Sequence, residues 1–139
     1  MDNETDMLSE RQLVESYRAS WEAVIPGSEP LEELVPYFHV PCFMVSNAGT
    51  MSHYTSQSEI SQFNRSRLEA FRAGGVHNAN LRAVDEQSQG PYLTLAVVNW
   101  ELTREDNSLE RAWRHYYTIL ASPENAPPKI VVSAFQTGS

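Results

Sequence analysis

Apolar residues recur every three or four positions near the start of the chain, at about residues 5–25. The repeating positions are Met7, Val14, Tyr17, Trp21 and Val24. This spacing places them on one face of a helix, because a helix returns to the same side every 3.6 residues. The pattern predicts a first helix with a single buried stripe.

Two further helices follow from capping signals. Pro30, with acidic residues behind it, suits the first turn of a short second helix. Ser56 and Glu59 have the spacing of a capping box and open a third. The third helix ends near Ala73, before two glycines, and its buried side comprises Ile60, Phe63, Leu68 and Phe71.

The apolar period changes from 3.6 to 2 after residue 76, which is typical of strands. The predicted strands cover residues 77–85, 92–104, 111–122 and 129–136, after two short ones at 42–46 and 50–54. Helices followed by a run of long strands favour an α+β fold. We therefore expect one domain, residues 1–139, in which three N-terminal helices pack against a curved, mostly antiparallel sheet.

Alternation along strand 111–122 gives one face to Trp113, His115, Tyr117 and Ile119. Two aromatic walls and one imidazole are a usual composition for a small-molecule pocket. A histidine in such a position is more often a hydrogen-bonded residue of the pocket wall than a catalytic residue. Strand 92–104 is apolar on both faces. One face of the sheet can pack against the helices, and the other has no cover from this chain. We therefore expect a homodimer through the uncovered face.

Charge and composition remove several classes of function. The net charge is −8 and Lys129 is the only lysine, so we expect neither nucleic acid nor an anionic membrane surface as a partner. The acidic N-terminus and short apolar stretches predict a soluble protein without a secretory signal. Cys42 is the only cysteine, which excludes an internal disulfide and favours the cytoplasm.

The stretch from Leu34 to Val45, which contains Tyr37-Phe38-His39-Val40-Pro41-Cys42 with Gly49 behind it, leads into a turn, a capped helix and four strands. This order resembles the nuclear transport factor 2-like superfamily over nearly the whole chain. The short motif is similar to a bacterial branch of that superfamily without an assigned function. The resemblance implies a cone-shaped, cystatin-like α+β barrel with an apolar pocket, as in ketosteroid isomerases and SnoaL-type cyclases.

The resemblance also implies individual roles. Tyr17 corresponds to the tyrosine by which the isomerases donate a hydrogen bond to the dienolate oxygen, and His115 to the neutral aspartic acid that assists it. The isomerases' catalytic carboxylate corresponds to a position near Ser46, and a serine is too weak a base for a carbon acid. This departure argues against isomerase activity.

Three functions remain open from the sequence. The preferred one is a dimeric domain that binds a small apolar or aromatic molecule, with Trp21, His39, Trp113, Tyr117 and Phe135 as ligand-binding residues. The alternative is an isomerase, dehydratase or cyclase that uses His115 as acid or base and Tyr17 as hydrogen-bond donor. A protein-interaction module is the third. No metal site and no cofactor is predicted, because no ligand spacing or phosphate-binding motif is present.

Overall fold

The computed structural model describes residues 2–124 and 127–135, with side chains from residue 12 onward. The elements, in chain order, are α1 (Asp2–Val24), a 3₁₀ helix (Leu31–Tyr37), β1 (Phe38–Val45), β2 (Met51–Tyr54), α2 (Gln57–Ala73), β3 (Val76–Ser88), β4 (Leu93–Arg104), β5 (Leu109–Leu120) and β6 (Lys129–Phe135). This confirms the predicted α+β class. The predicted burial of Met7 and the predicted strand end at Gln136 lie outside the described residues.

The stripe of α1 packs into the core as its spacing predicts. Val14, Tyr17, Trp21 and Val24 are each no more than 5% exposed. The polar side of the helix is tied to the sheet through Ala79 of β3, whose backbone N–H donates to the Glu22 carboxylate at 2.9 Å. Helix α1 therefore packs against the sheet at β3.

Helix α2 begins at the predicted capping box. Ser56 Oγ accepts a hydrogen bond from the backbone N–H of Glu59 at 3.2 Å, and the Glu59 carboxylate accepts one from the N–H of Thr55 at 2.8 Å. Gly75 has a φ of +79°. This left-handed conformation terminates the helix, and glycine adopts it without strain. The cap fixes where α2 starts and thereby which of its side chains face the sheet.

The segment between the two long helices differs from the prediction. The short second helix is a 3₁₀ helix, and β1 begins at Phe38 rather than at Cys42. Phe38 is drawn into the sheet by pairing with Ile130 of β6, a contact remote in the chain. Pro41 lies inside the strand, between the paired residues Phe38 and Phe43, where the register shifts and a missing N–H donor is tolerated.

The six strands form one sheet in the order β2-β1-β6-β5-β4-β3. Strands β3 to β6 are an antiparallel meander, and β1 joins it by running parallel to β6. Trp113 pairs with Trp100, His115 with Val98 and Tyr117 with Ala96. His115 and Tyr117 are both 3% exposed, which confirms that this parity faces the core. Within the part described, no helix is long and apolar enough to cross a membrane.

Candidate functional site

A cavity of about 360 Å³ opens between α2 and the edge of the sheet formed by β1, β2 and β6. Its walls combine apolar side chains with small polar ones: Met44, Val45, Ser46, Asn47, Thr50, Ser52, Phe63, Ser66, Arg67, Ala70, Phe71, Arg111, Ser133 and Phe135. Two other depressions on the described surface open more widely to solvent. The cavity has the size of a small-molecule site, for which roughly 300–1,000 Å³ is usual.

Arg67 of α2 occupies the inner wall of this cavity. Its guanidinium lies over the Phe135 ring, with Cζ 4.3 Å from the ring centroid, and 5.1 Å from the Phe63 centroid. Arg67 also lines a narrow void of about 20 Å³ deeper in the core, beside Tyr17 and Trp113. The arginine therefore stands at the boundary between the open cavity and the aromatic interior.

Three side chains form a directed hydrogen-bond chain beside the cavity. The indole Nε1–H of Trp113 donates to Nδ1 of His115 at 3.0 Å, and Nε2 of His115 lies 2.7 Å from Ser133 Oγ. Because an indole N–H can only donate, Nδ1 must accept, and the ring proton is on Nε2. Nε2–H then donates to Ser133, whose own hydroxyl hydrogen is left for an acceptor in the cavity.

The surroundings of His115 favour its neutral form. Burial lowers the pKa of His115 well below its ordinary value, and the positive charge of Arg67 acts in the same direction. Protonation of Nδ1 would also place two N–H groups face to face, since Trp113 points its own at this atom. The imidazole is thus held in the core in its neutral form, with a hydrogen bond at each ring nitrogen.

A second polar pair lies deeper. The indole N–H of Trp100 donates to the Tyr117 hydroxyl at 2.9 Å, and both residues are buried. Burial raises the pKa of Tyr117, with a smaller contribution from Tyr17 in the same direction. Burial likewise raises the pKa of Tyr17. Both phenols therefore stay protonated at neutral pH.

Tyr17 and His115 do not form a direct pair. The Tyr17 ring meets Tyr117 edge to face, with centroids 6.0 Å apart, and the His115 ring stacks on the same tyrosine at 4.5 Å. Tyr117 is thus their shared contact. Neither Tyr17 nor His115 is among the residues that line the open cavity in the described structure.

The structure distributes the five predicted ligand-binding residues over several places. Phe135 lines the open cavity, whereas Trp21, Trp113 and Tyr117 line the narrow void behind Arg67. His39 is at the start of β1, where its Nδ1 donates to the carbonyl of Pro41 at 2.9 Å. His39 contributes to neither of these two spaces.

Sequence reasoning missed Arg67, Arg111 and Ser133 as site residues. Arg67 follows Phe63 by four positions, so the two residues share a helix face. A charged residue on an otherwise apolar helix face is the sequence feature that indicates Arg67 as a site residue. Ser133 lies two residues before Phe135 and therefore shares its side of the strand. Arg111 lines the cavity because β5 begins at Leu109, and the first residues of this strand lie beside the end of α2.

Cys42 is not among the residues that line the cavity in the described structure. Burial raises the pKa of the Cys42 thiol to about 11, so it is protonated at neutral pH and a poor nucleophile. Among the residues that the structure describes, no three His, Cys, Asp or Glu side chains converge as metal ligands would.

Comparison with known proteins identifies the family. The model of the family described as NTF2-like protein (DUF6841) matches residues 6–136. The chain belongs to this NTF2-like family. The family description gives a fold and no activity, and no curated protein matches the chain.

Solved structures agree on the fold of this NTF2-like chain. An NTF2-like protein with a cystatin-like fold from Novosphingobium aromaticivorans has a TM-score of 0.71 at 15% identity, covering 95% of this chain and 81% of that one. An NTF2-like protein of unknown function from Shewanella oneidensis MR-1 has a TM-score of 0.68 at 12% identity, covering 99% and 100%. At these identities the likeness shows the fold alone.

Proposed function

We propose that this NTF2-like domain binds a small, largely apolar or aromatic molecule in the cavity between α2 and the sheet edge. The observation that carries the proposal is the cavity itself, about 360 Å³ in volume, with the rings of Phe63, Phe71 and Phe135 in its walls. Apolar walls with a few polar groups are the usual composition of such sites. The proposed function is binding, and no reaction is assigned to it.

The alternative, an isomerase, dehydratase or cyclase using His115 and Tyr17, stays a prediction without a structural observation in its favour. To act as a base, His115 would have to release the N–H of Trp113 from Nδ1. To act as an acid, it would have to give Ser133 its only ring proton. Ser46, near the position of the isomerase base, instead accepts backbone N–H groups from Ala48 and Thr50 in the turn.

Occlusion of the cavity tests the binding function. Ala70 lines it from α2, whereas Ala73 lies on the same helix, is exposed and is not among the lining residues. We expect saturation-transfer NMR with indole, 2-naphthol and phenylacetate to detect binding to the wild type and to Ala73→Trp. Ala70→Trp should lose it. Binding of none of these probes to the wild type contradicts the function, and equal binding to both variants contradicts the location.

We also propose a homodimer through the convex face of the sheet. Its support is a set of half-buried, mainly apolar side chains on that face: Leu95, Val97, Tyr116, Thr118 and Val132. Val97 pairs with Tyr116 near the middle of the sheet. Light scattering should give a dimer for the wild type and for Gln62→Lys on α2, and a monomer for Val97→Lys. A monomeric wild type would contradict this proposal.

The cytoplasm is the proposed compartment. Cys42 is a free and buried thiol, and a chain without disulfides suits a reducing compartment. Fractionation of cells that express the tagged protein should recover it with cytoplasmic markers. Recovery with extracytoplasmic markers would contradict the assignment.

A further inference from the structure

We propose that the molecule bound in this cavity carries a carboxylate, and that Arg67 and Arg111 are the residues that recognise it. The inference rests on the proposed function and narrows its ligand to an aromatic or other compact apolar acid. It follows from the placement of two guanidinium groups in one cavity and from the absence of acidic groups among the lining residues of the described structure.

Arg67 is a partly buried cation whose contacts are aromatic. It lies over Phe135 and near Phe63, and among the residues described it forms neither a hydrogen bond nor an ion pair. A guanidinium has five N–H donors, and their planar arrangement suits the two oxygens of a carboxylate. Arg67 lines the cavity, so an anion in the cavity can reach its guanidinium.

Arg111 supplies a second positive charge to the same walls. Its Nε lies 3.6 Å from the Glu110 carboxylate, a long ion pair for an exposed side chain. The proximity of the two arginines has an electrostatic cost: after burial, which is the main cause, the charge of Arg111 helps to lower the pKa of Arg67. An anion between the two guanidinium groups would offset this repulsion.

The polar groups near the two arginines are complementary to the same ligand. Ser133 Oγ accepts a hydrogen bond from the Nε2–H of His115 and so presents its own hydroxyl hydrogen, which is a donor, to the cavity. The chain from Trp113 through His115 thus ends in a donor rather than an acceptor. Donors on several sides suit oxygen atoms that carry negative charge.

A carboxylate fits better than a phosphate. The planar fork of arginine matches the two oxygens of either group, but the net charge of −8 opposes a multiply charged anion more than a singly charged one. The rings of Phe63, Phe71 and Phe135 also require an apolar body of some size, which inorganic phosphate lacks. A singly charged organic acid can place its carboxylate at the two arginines and its apolar body against the phenylalanine rings.

Calorimetry with matched probes tests the inference, using phenylacetate, its uncharged amide phenylacetamide, and inorganic phosphate. Phenylacetate should bind at least about 10-fold more tightly than phenylacetamide, since hydrogen bonds to charged groups are worth roughly 1.5–3 kcal/mol. Phosphate should bind more weakly than phenylacetate. Arg67→Met should reduce phenylacetate affinity by about 10- to 100-fold and phenylacetamide affinity by much less, so the preference for the acid should narrow. Arg114→Met, on the same strand as Arg111 but outside the cavity lining, should leave both unchanged.

The outcomes separate this inference from the proposed function. Equal affinity for phenylacetate and phenylacetamide, or tighter binding of phosphate, overturns the carboxylate assignment and leaves a small-molecule or anion site in the cavity. Binding of neither organic probe, nor of indole or 2-naphthol, overturns the proposed function as well. Even if Arg67→Met fails to fold, comparing phenylacetate with phenylacetamide on the wild type tests whether the cavity recognises a carboxylate. Arg67→Lys, which keeps the charge, should retain part of the affinity.

Discussion

The indole N–H of Trp113 donates a hydrogen bond to Nδ1 of His115 at 3.0 Å, and this contact decides which nitrogen of the imidazole carries the proton. Two residues on one strand, separated by a single position, face the same side of the sheet, so alternation brings the donor and the acceptor together. His115, a residue type suited to acid–base chemistry, is therefore a neutral link between Trp113 and Ser133.

The first prediction is that His115 does not titrate with an ordinary pKa. Burial lowers that pKa, so a histidine NMR titration from pH 8 to 5 should show one ring whose shifts do not follow a pKa near about 6.5. Trp113→Phe removes the N–H that opposes protonation of Nδ1 and should raise the pKa of His115. A His115 ring, identified by its absence from the spectrum of His115→Gln, that titrates near about 6.5 would contradict the assigned hydrogen bonds.

The same shift predicts a pH dependence of stability. Below about pH 6.5 the unfolded chain binds a proton at His115 that the folded protein does not, so the free energy of unfolding falls as the pH falls. Between pH 7.5 and 5.5, urea unfolding should show a larger loss in the wild type than in His115→Gln. The difference between the two proteins should grow steadily as the pH falls and be largest at pH 5.5. Equal losses in the two proteins would show that His115 titrates alike in both states.

The buried hydrogen bond between Trp100 and Tyr117 predicts the next result. Tyr117→Phe leaves the Trp100 N–H without its acceptor in the core, which should lower the free energy of unfolding by about 1–3 kcal/mol. Tyr92→Phe is the matched control, because Tyr92 is 51% exposed and lies outside the core. Urea titrations that give equal losses for the two variants would contradict this account.

Asn64 predicts a gain in stability. It is fully buried on α2, and neither amide atom of its side chain has a hydrogen-bond partner in the described structure. Asn64→Leu removes a buried polar group whose cost is about 1–3 kcal/mol, so the melting temperature should rise. Gln62→Leu, exposed on the same helix, should change it little. A lower melting temperature for Asn64→Leu would show that the amide is satisfied in solution.

The cap of α2 gives a last prediction. Ser56→Ala removes the oxygen that accepts from the Glu59 N–H and should cost about 1 kcal/mol of unfolding free energy. Ser58→Ala, within the first turn of the helix and exposed, has no such role. Chemical denaturation should therefore separate the two serines, and similar values would contradict the capping role.

The candidate site was only partly predictable from the residues. Strand alternation was enough to place Trp113, His115 and Tyr117 on the inner face, because that pattern depends on neighbours in the chain. It did not reveal that His115 would be satisfied on both nitrogens, since Ser133 comes from another strand. The sequence predicts His39 as a ligand-binding residue, and only the tertiary structure shows that its ring is hydrogen-bonded to the carbonyl of Pro41.

By itself, the sequence determined the kinds of element and the faces they bury, because helix and strand periods, the Ser56 cap and the turn glycines act over a few residues. The tertiary structure decided the parallel pairing of Phe38 with Ile130 and the placement of Arg67 over Phe135. It also decided that Arg67 and Arg111 share one cavity. These contacts join residues remote in the chain, and no local pattern records where the backbone brings such residues together.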